Sequence, residues 1–242
     1  LSTQKGEQEL YFIIPAAGVG SRMGSEVPKQ YLKIAGESIL THTLKLFLGV
    51  AEMNGGVVAL SAEDETPLAV ESESLWRVEG GATRTDSVAA GLYFLKEKLS
   101  RAGKDLNKIW VAVHDAARPG LRPEELSLFL RSVLEDAPQG GAIMALPAQD
   151  TVKRVDRAGL IIETIDRDRI WLAQTPQMAP LLTLIEATER AEREGAKVTD
   201  EASLLEYNGL SPKVYRGYPH NFKVTYPEDL QLMSLYFSER RE

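Results

Sequence analysis

Residues 13–29 read I-I-P-A-A-G-V-G-S-R-M-G-S-E-V-P-K, and they begin inside an apolar run, 10–14, of the length of a buried strand. The run breaks into small residues at Pro15, Ala16, Ala17, Gly18 and Gly20. Small residues let backbone N–H groups approach an anion closely, and glycine takes the positive φ that such a cradle needs. Arg22 and Lys29 follow at once. A strand ending in a glycine-rich, basic loop suits a polyphosphate. Gly18, Gly20 and Gly24 are spaced one residue too widely for the dinucleotide fingerprint, and Ser25-Glu26 stands where a P-loop needs Lys then Ser or Thr. The stretch is therefore a phosphate loop of a third kind or an ordinary strand-to-helix turn.

Outward from this loop, strand and helix patterns alternate. Ser38 can cap a helix carrying Leu40, Leu44, Phe47 and Leu48 at helical spacing, and 57–60 is a second strand. Residues 61–74 are polar and acidic, an exposed excursion. Gly80-Gly81-Ala82-Thr83-Arg84-Thr85-Asp86-Ser87-Val88 turns into a helix running to about residue 99. Arg84 and Ser87 then lie where a helix offers unpaired N–H groups and positive potential, although one of Thr83, Asp86 and Ser87 has to serve as its cap. Residues 109–113 are a strongly buried strand ending in His114-Asp115-Ala116-Ala117-Arg118-Pro119. In open α/β sheets ligands sit beyond the carboxyl ends of strands, and an Asp there can hold Mg²⁺. The competing reading is an Asp115–Arg118 ion pair that shapes the turn.

Helices follow at 123–134, 181–194 and 201–207, and a last one from Pro227 to about 237. Residues 141–146 form a further strand, with late strands at 213–215 and 222–224. Two strand-like runs, 151–155 and 160–165, flank Asp156-Arg157-Ala158-Gly159 and read as a β-hairpin. An isolated hairpin is marginal in water, so it has to dock on the body or on another subunit. Trp171 and Leu172 are expected in the core or an interface. The alternation predicts a largely parallel, three-layer α/β sheet, one domain over 1–242 with an arm at about 148–168.

Composition sets bounds. The net charge of −7 argues against a broad basic surface for nucleic acid, so an anionic substrate needs a local basic pocket. No apolar run approaches the ~20 residues that span a membrane. The polar residues 1–9 are expected to be a disordered lead-in. With no cysteine there is no disulfide, thiol nucleophile or thiolate metal site, which fits a cytoplasmic location. His42, expected on a helix surface, His114, and His220, expected in a turn, share no metal spacing.

Several stretches together resemble the 2-C-methyl-D-erythritol 4-phosphate cytidylyltransferase family. They are P-A-A-G-V-G-S-R-M-G with Pro28-Lys29-Gln30-Tyr31-Leu32; Gly80-Gly81-x-x-Arg84-x-x-Ser87-Val88; Val113-His114-Asp115-Ala116-Ala117-Arg118-Pro119; and Asp150-Thr151-Val152-Lys153. Gln174-Thr175-Pro176-Gln177, Thr199-Asp200-Glu201-Ala202 and Asn221-x-Lys223-x-Thr225 complete the set. The resemblance covers about residues 10–237. It implies a Rossmann-like fold of the nucleotide-diphosphate-sugar transferase type with a β-arm that makes a homodimer. It also implies transfer of CMP from CTP to 2-C-methyl-D-erythritol 4-phosphate, with release of pyrophosphate, in the non-mevalonate route to isoprenoids.

By the same resemblance, Arg22, Lys29 and Lys223 are catalytic, stabilising phosphate charge. Asp115 holds Mg²⁺ or another divalent ion. Pro15, Ala16, Ala17, Gly18, Gly20, Arg22, Lys29, Gly81, Arg84, Ser87 and Asp115 bind CTP. Arg118, Thr151, Arg167, Thr175 and Lys223 hold the polyol phosphate, with Thr151 and Arg167 lent by the partner's arm. Ala179 stands where the family has an aromatic residue, and Phe222 where it has Ile; both are expected to be packing changes. Two other readings share part of this evidence: a ribitol 5-phosphate cytidylyltransferase, and a non-catalytic nucleotide-binding protein.

Overall fold

The computed structural model describes residues 8–18 and 27–240. In chain order they form β1 (Glu9–Pro15), β2 (Lys33–Ile34), β3 (Glu37–Ser38), α1 (Ile39–Leu48), β4 (Gly55–Leu60), β5 (Leu75–Glu79), α2 (Arg84–Arg101), β6 (Ile109–Val113) and α3 (Pro123–Asp136). Then come β7 (Ala142–Pro147), β8 (Val152–Val155), β9 (Ile161–Ile165), β10 (Trp171–Pro180), α4 (Leu181–Glu194), α5 (Glu201–Tyr207), β11 (Lys213–Arg216) and α6 (Pro227–Glu239). Glu9, expected in the lead-in, instead opens β1 and pairs with Ile109; the rest of the lead-in up to residue 7 lies outside the described residues.

Seven strands make one sheet in the order β11-β7-β10-β6-β1-β4-β5. All neighbours are parallel except β10, which runs antiparallel to both β6 and β7. β1 shows why the sheet is covered on both faces. Its side chains alternate, so Leu10, Phe12 and Ile14 join Leu44 and Phe47 of α1 and Phe129 and Leu130 of α3. Tyr11 and Ile13 face the other way, toward Leu92 and Leu95 of α2 and Leu184 and Ile185 of α4. β4 must come close under Phe12: a Cβ on Gly56 would lie 2.4 Å from that ring. Three layers follow, as a continuous apolar strand requires.

Some expected elements differ. β5 is a parallel edge strand that the sequence hides, because Arg77 and Glu79 interrupt its apolar residues. β10 is a second missed strand; a register shift between Ala173 and Gln177 accommodates Pro176. Residues 222–224 were expected as a strand but are irregular. Their apolar side chains pack with α6 and Ile34 instead of entering a ladder. His42 is mostly covered rather than on an open face: Nε2 meets the Ile34 carbonyl at 2.7 Å, and the ring packs on Phe237. His220 does lie in a turn.

The hairpin β8–β9 forms a sheet of its own, apart from the seven strands. It does not dock on its own body. Leu160, Ile161 and Ile162 are 62–67% exposed, and nearby Trp171 and Leu172 are exposed as well, which excludes the core for them and leaves the interface. No helix among the described residues is long and apolar enough to cross a membrane.

Candidate active site

The chain order places the site. β1 leads through α1 to β4 and β5 on one side, and then α2 carries the chain back to β6 on the other side of β1. The crevice beyond the carboxyl ends of β1 and β6 is the topological switch point where such sheets bind ligands. A cavity of about 300 Å³ opens there. Pro15, Ala16, Ala17 and Gly18 line it from β1, Lys29 and Gln30 from the turn beyond, and Gly81, Ala82, Thr83, Arg84 and Ser87 from the start of α2. Asp115, Ala116 and Ala117 close it from β6, and Lys223 and Thr225 from the opposite wall. Gly20 and Arg22 lie outside the described residues.

Local chemistry explains these placements. Thr83 caps α2: its hydroxyl accepts from Asp86 N at 3.1 Å while the Asp86 carboxylate accepts from Thr83 N at 2.9 Å. The chain before it has to be glycine, since a Cβ on Gly80 would lie 2.7 Å from Ala17 Cβ and one on Gly81 2.2 Å from Asp86 Cβ. Gln30 ties the Lys29 turn to the first loop by donating to the Ala16 carbonyl at 2.9 Å. From α1, the Thr43 hydroxyl donates to the Ala116 carbonyl at 3.0 Å.

At the centre sits Asp115, 6% exposed. Both competing readings of this residue hold in part, because the Asp115–Arg118 ion pair exists at 3.3 Å but is one of three. Arg84 Nε reaches Oδ1 at 2.9 Å and Lys223 Nζ reaches Oδ2 at 3.0 Å. Burial would raise the pKa of this carboxyl, yet Arg84, then Lys223 and Arg118, hold it well below the usual carboxylate range. A carboxylate has about four lone-pair positions, so these three contacts leave one, on Oδ1. Among the described residues no three His, Cys, Asp or Glu side chains gather to hold a metal. The donor set thus fits a cation that takes a single carboxylate and finds its other ligands in phosphate oxygens and water, as Mg²⁺ does.

Behind Asp115 lies a polar chain. Asp115 N donates to the Thr175 hydroxyl at 3.1 Å, that hydroxyl meets His114 Nδ1 at 3.0 Å, and His114 Nε2 meets the Arg118 carbonyl at 3.0 Å. Burial pushes His114 down to about 4, so its imidazole is neutral at pH 7 and, fully enclosed, is no base for a substrate. Thr175 therefore faces inward and does not line the cavity. Arg118, held by Asp115 and by the Asn221 carbonyl at 2.8 Å, also stands behind the wall. Thr151 and Arg167 are exposed at the arm's root, and the fold does not bring them to this chain's own cavity.

Sequence reasoning missed Glu201. Its carboxylate takes both terminal nitrogens of Arg84, at 2.8 and 3.0 Å, across 117 residues of chain. It did stand in a motif, but nothing in the spacing announced the partner. Ala179 and Phe222 lie away from the cavity, the first in the core with α4 and the second against α6, as packing changes would.

This geometry has close relatives. The family model of the 2-C-methyl-D-erythritol 4-phosphate cytidylyltransferases (IspD) matches residues 10–239. The proteins of that name from Shewanella halifaxensis and Ectopseudomonas mendocina are each 44% identical, over 95% and 96% of this chain and 96% and 97% of their own. The crystal structure of the Francisella tularensis protein of that name superposes with a TM-score of 0.78 at 34% identity, covering 94% of this chain and 99% of the other. That from Thermus thermophilus gives 0.74 at 30%, covering 94% and 98%. The chain belongs to the 2-C-methyl-D-erythritol 4-phosphate cytidylyltransferase family, and with it to the nucleotidyltransferases.

Proposed function

We propose that the chain transfers CMP from CTP to 2-C-methyl-D-erythritol 4-phosphate and that the cavity at the β1–β6 crevice is where it does so. The observation that carries this reading is the pairing of a small-residue loop with Lys29 on one wall and an Asp115–Lys223 pair on the other. Neutral surface made of small residues at Ala16, Ala17, Gly18, Gly81 and Ser87 suits a base and ribose, while the cations suit a triphosphate. The phosphate oxygen of the acceptor attacks the CTP α-phosphorus in line, and pyrophosphate leaves. A phosphate monoester with a second pKa of about 6 is already mostly ionised at pH 7. No general base is required, in keeping with the enclosed, neutral His114.

The protein's part is positioning and charge. Lys29, Lys223 and Arg22 offset the negative charge that grows on the α-phosphate oxygens as the new bond forms. Mg²⁺ held by Asp115 would neutralise phosphate charge when bound. Arg118 and Thr175 support the acceptor end by fixing Asp115. Thr151 and Arg167 reach an acceptor only from a second copy of the chain. We therefore read the whole chain as one catalytic domain whose arm, with exposed Leu160, Ile161 and Ile162, pairs two copies. Covering those side chains stabilises by about 1.5–3 kcal/mol each when burial is complete. The reading needs neither nucleic acid nor membrane and places the enzyme in the cytoplasm with its CTP.

Pyrophosphate release tests it. With CTP, Mg²⁺ and 2-C-methyl-D-erythritol 4-phosphate, release is expected, and it should fail when ribitol 5-phosphate or another nucleoside triphosphate is substituted. Release with ribitol 5-phosphate in preference would overturn the acceptor. CTP binding without release from any pair would overturn the enzyme reading.

A further inference from the structure

Two motifs, at 174–177 and 199–202, take little part in the chemistry above, yet they meet behind the cavity. Glu201, with 4% of its side chain exposed, engages the terminal fork of Arg84, while Arg84 Nε alone turns to Asp115. Glu201 is itself held from both sides. Gln177 on β10 donates to Asp200 at 2.9 Å and accepts from Ala202 N at 2.7 Å. Arg84 lines the cavity. A planar guanidinium matches a phosphate as well as it matches a carboxylate. The fork would therefore serve as a bidentate phosphate clamp if it were not already occupied.

We propose that Glu201 is a positioning residue that keeps the Arg84 fork off the phosphates, so that pyrophosphate can leave, while it presents Arg84 Nε to Asp115. The proposal rests on the nucleotidyl-transfer reading. Charge supports it: Arg84, Arg118 and Lys223 against Asp115 and Glu201 leave one net positive charge in the cluster, and loss of the Glu201 carboxylate makes it two. An anionic product then binds more tightly while Arg84 loses the anchor that holds its Nε on Asp115. A carboxylate that merely stabilised the fold would leave product affinity alone.

The experiment is product inhibition by pyrophosphate in the full-length protein. In Glu201→Gln, pyrophosphate should inhibit about tenfold more tightly, roughly the worth of one charge-assisted pair, with kcat lowered by a similar factor. Glu201→Asp, which keeps the charge on a shorter stem, should fall between. In an Arg84→Gln background, adding Glu201→Gln should change the inhibition by less than about twofold, because the group it restrains is gone. A folded Glu201→Gln with wild-type inhibition overturns the proposal, as does a change that persists without Arg84. If Glu201→Gln does not fold, Glu201→Asp decides, with inhibition tightened by about threefold supporting the proposal and unchanged inhibition overturning it. Wild-type protein that releases no pyrophosphate overturns the functional reading together with the proposal, whereas active wild type beside an unchanged variant overturns the proposal alone.

Discussion

The cavity around Asp115 and the β8–β9 arm are built on opposite terms. Every charged group at the cavity's centre has a partner from the same chain: Asp115 has three cations, Arg84 has two carboxylates, and Arg118 has a carboxylate and a carbonyl. The arm has a sound turn, in which Asp156 Oδ1 accepts from Ala158 N and Leu160 N at 2.9 Å, yet its aliphatic side chains face outward. A buried charge that lacks a partner costs several kcal/mol, so the chain has to satisfy it alone. An exposed leucine costs far less, so its partner can be another molecule. The charge network around Asp115 is thus satisfied within one chain, whereas the arm leaves its aliphatic side chains to be covered by something else.

The comparison can be broken most severely at the cavity. Lys29→Ala or Lys223→Ala should lower kcat by about 10²–10³ while the thermal unfolding midpoint stays near wild type. Near-normal pyrophosphate release from either folded variant would sink the electrostatic mechanism. Acid should loosen the same region next. Both Asp115 and His114 titrate below their ordinary values in the fold, so both stabilise it above those values and cease to do so as pH falls. For His114 the window runs from an unfolded value near 6.5 down to about 4, worth up to about 3 kcal/mol. Urea unfolding from pH 7 to pH 4.5 should show the loss, and His114→Asn should flatten it; an equal slope in both proteins would remove the assignment.

At the arm the effect is smaller and depends on concentration. Replacing Leu160, Ile161 and Ile162 together by Ser should shift sedimentation from dimer to monomer. Turnover in dilute solution should fall about tenfold, an interface effect of about 1.4 kcal/mol, with little change in melting. A wild-type protein that sediments as a monomer would dissolve the contrast between the two regions. Smallest is the cap of α2: Thr83→Ala should cost about 1 kcal/mol in urea unfolding, with the loss traceable to the cap because Asp86 keeps its place.

Legibility in the sequence followed burial. β1, β4, β6 and β7 are near-continuous apolar runs, and each was readable as a strand because both faces are covered. β5, at the edge, needs only part of its surface apolar, so Arg77 and Glu79 hid it. β10 carries Gln174, Thr175 and Gln177, buried polar residues whose partners lie on other elements, so neither period nor hydrophobicity marked it. Residues 222–224 show the converse: apolar alternation came from packing on Met233 and Ile34, without a ladder. In the site, loop chemistry pointed to Ala16, Gly81 and Asp115 and the family resemblance added Lys223, and all four line one cavity. Glu201 stayed hidden because a long-range ion pair leaves no local pattern. Likewise the inward turn of Thr175 is a matter of tertiary geometry, invisible to spacing.

β10, the one antiparallel strand of the seven-stranded sheet, has a mechanical meaning. It starts at Trp171, beside the arm's root, and by Thr175 it is hydrogen-bonded to the backbone of Asp115. Those four steps span about 13 Å at ~3.3 Å per residue, and an extended strand hardly lengthens under load. The arm and the Asp115 carboxylate are therefore joined by a short pushrod, with its slack confined to the register shift between Ala173 and Gln177. On the proposed pairing of two copies, strain at their junction would arrive as a displacement at the amide of Asp115, which makes the arm's root a handle on the geometry of the cavity.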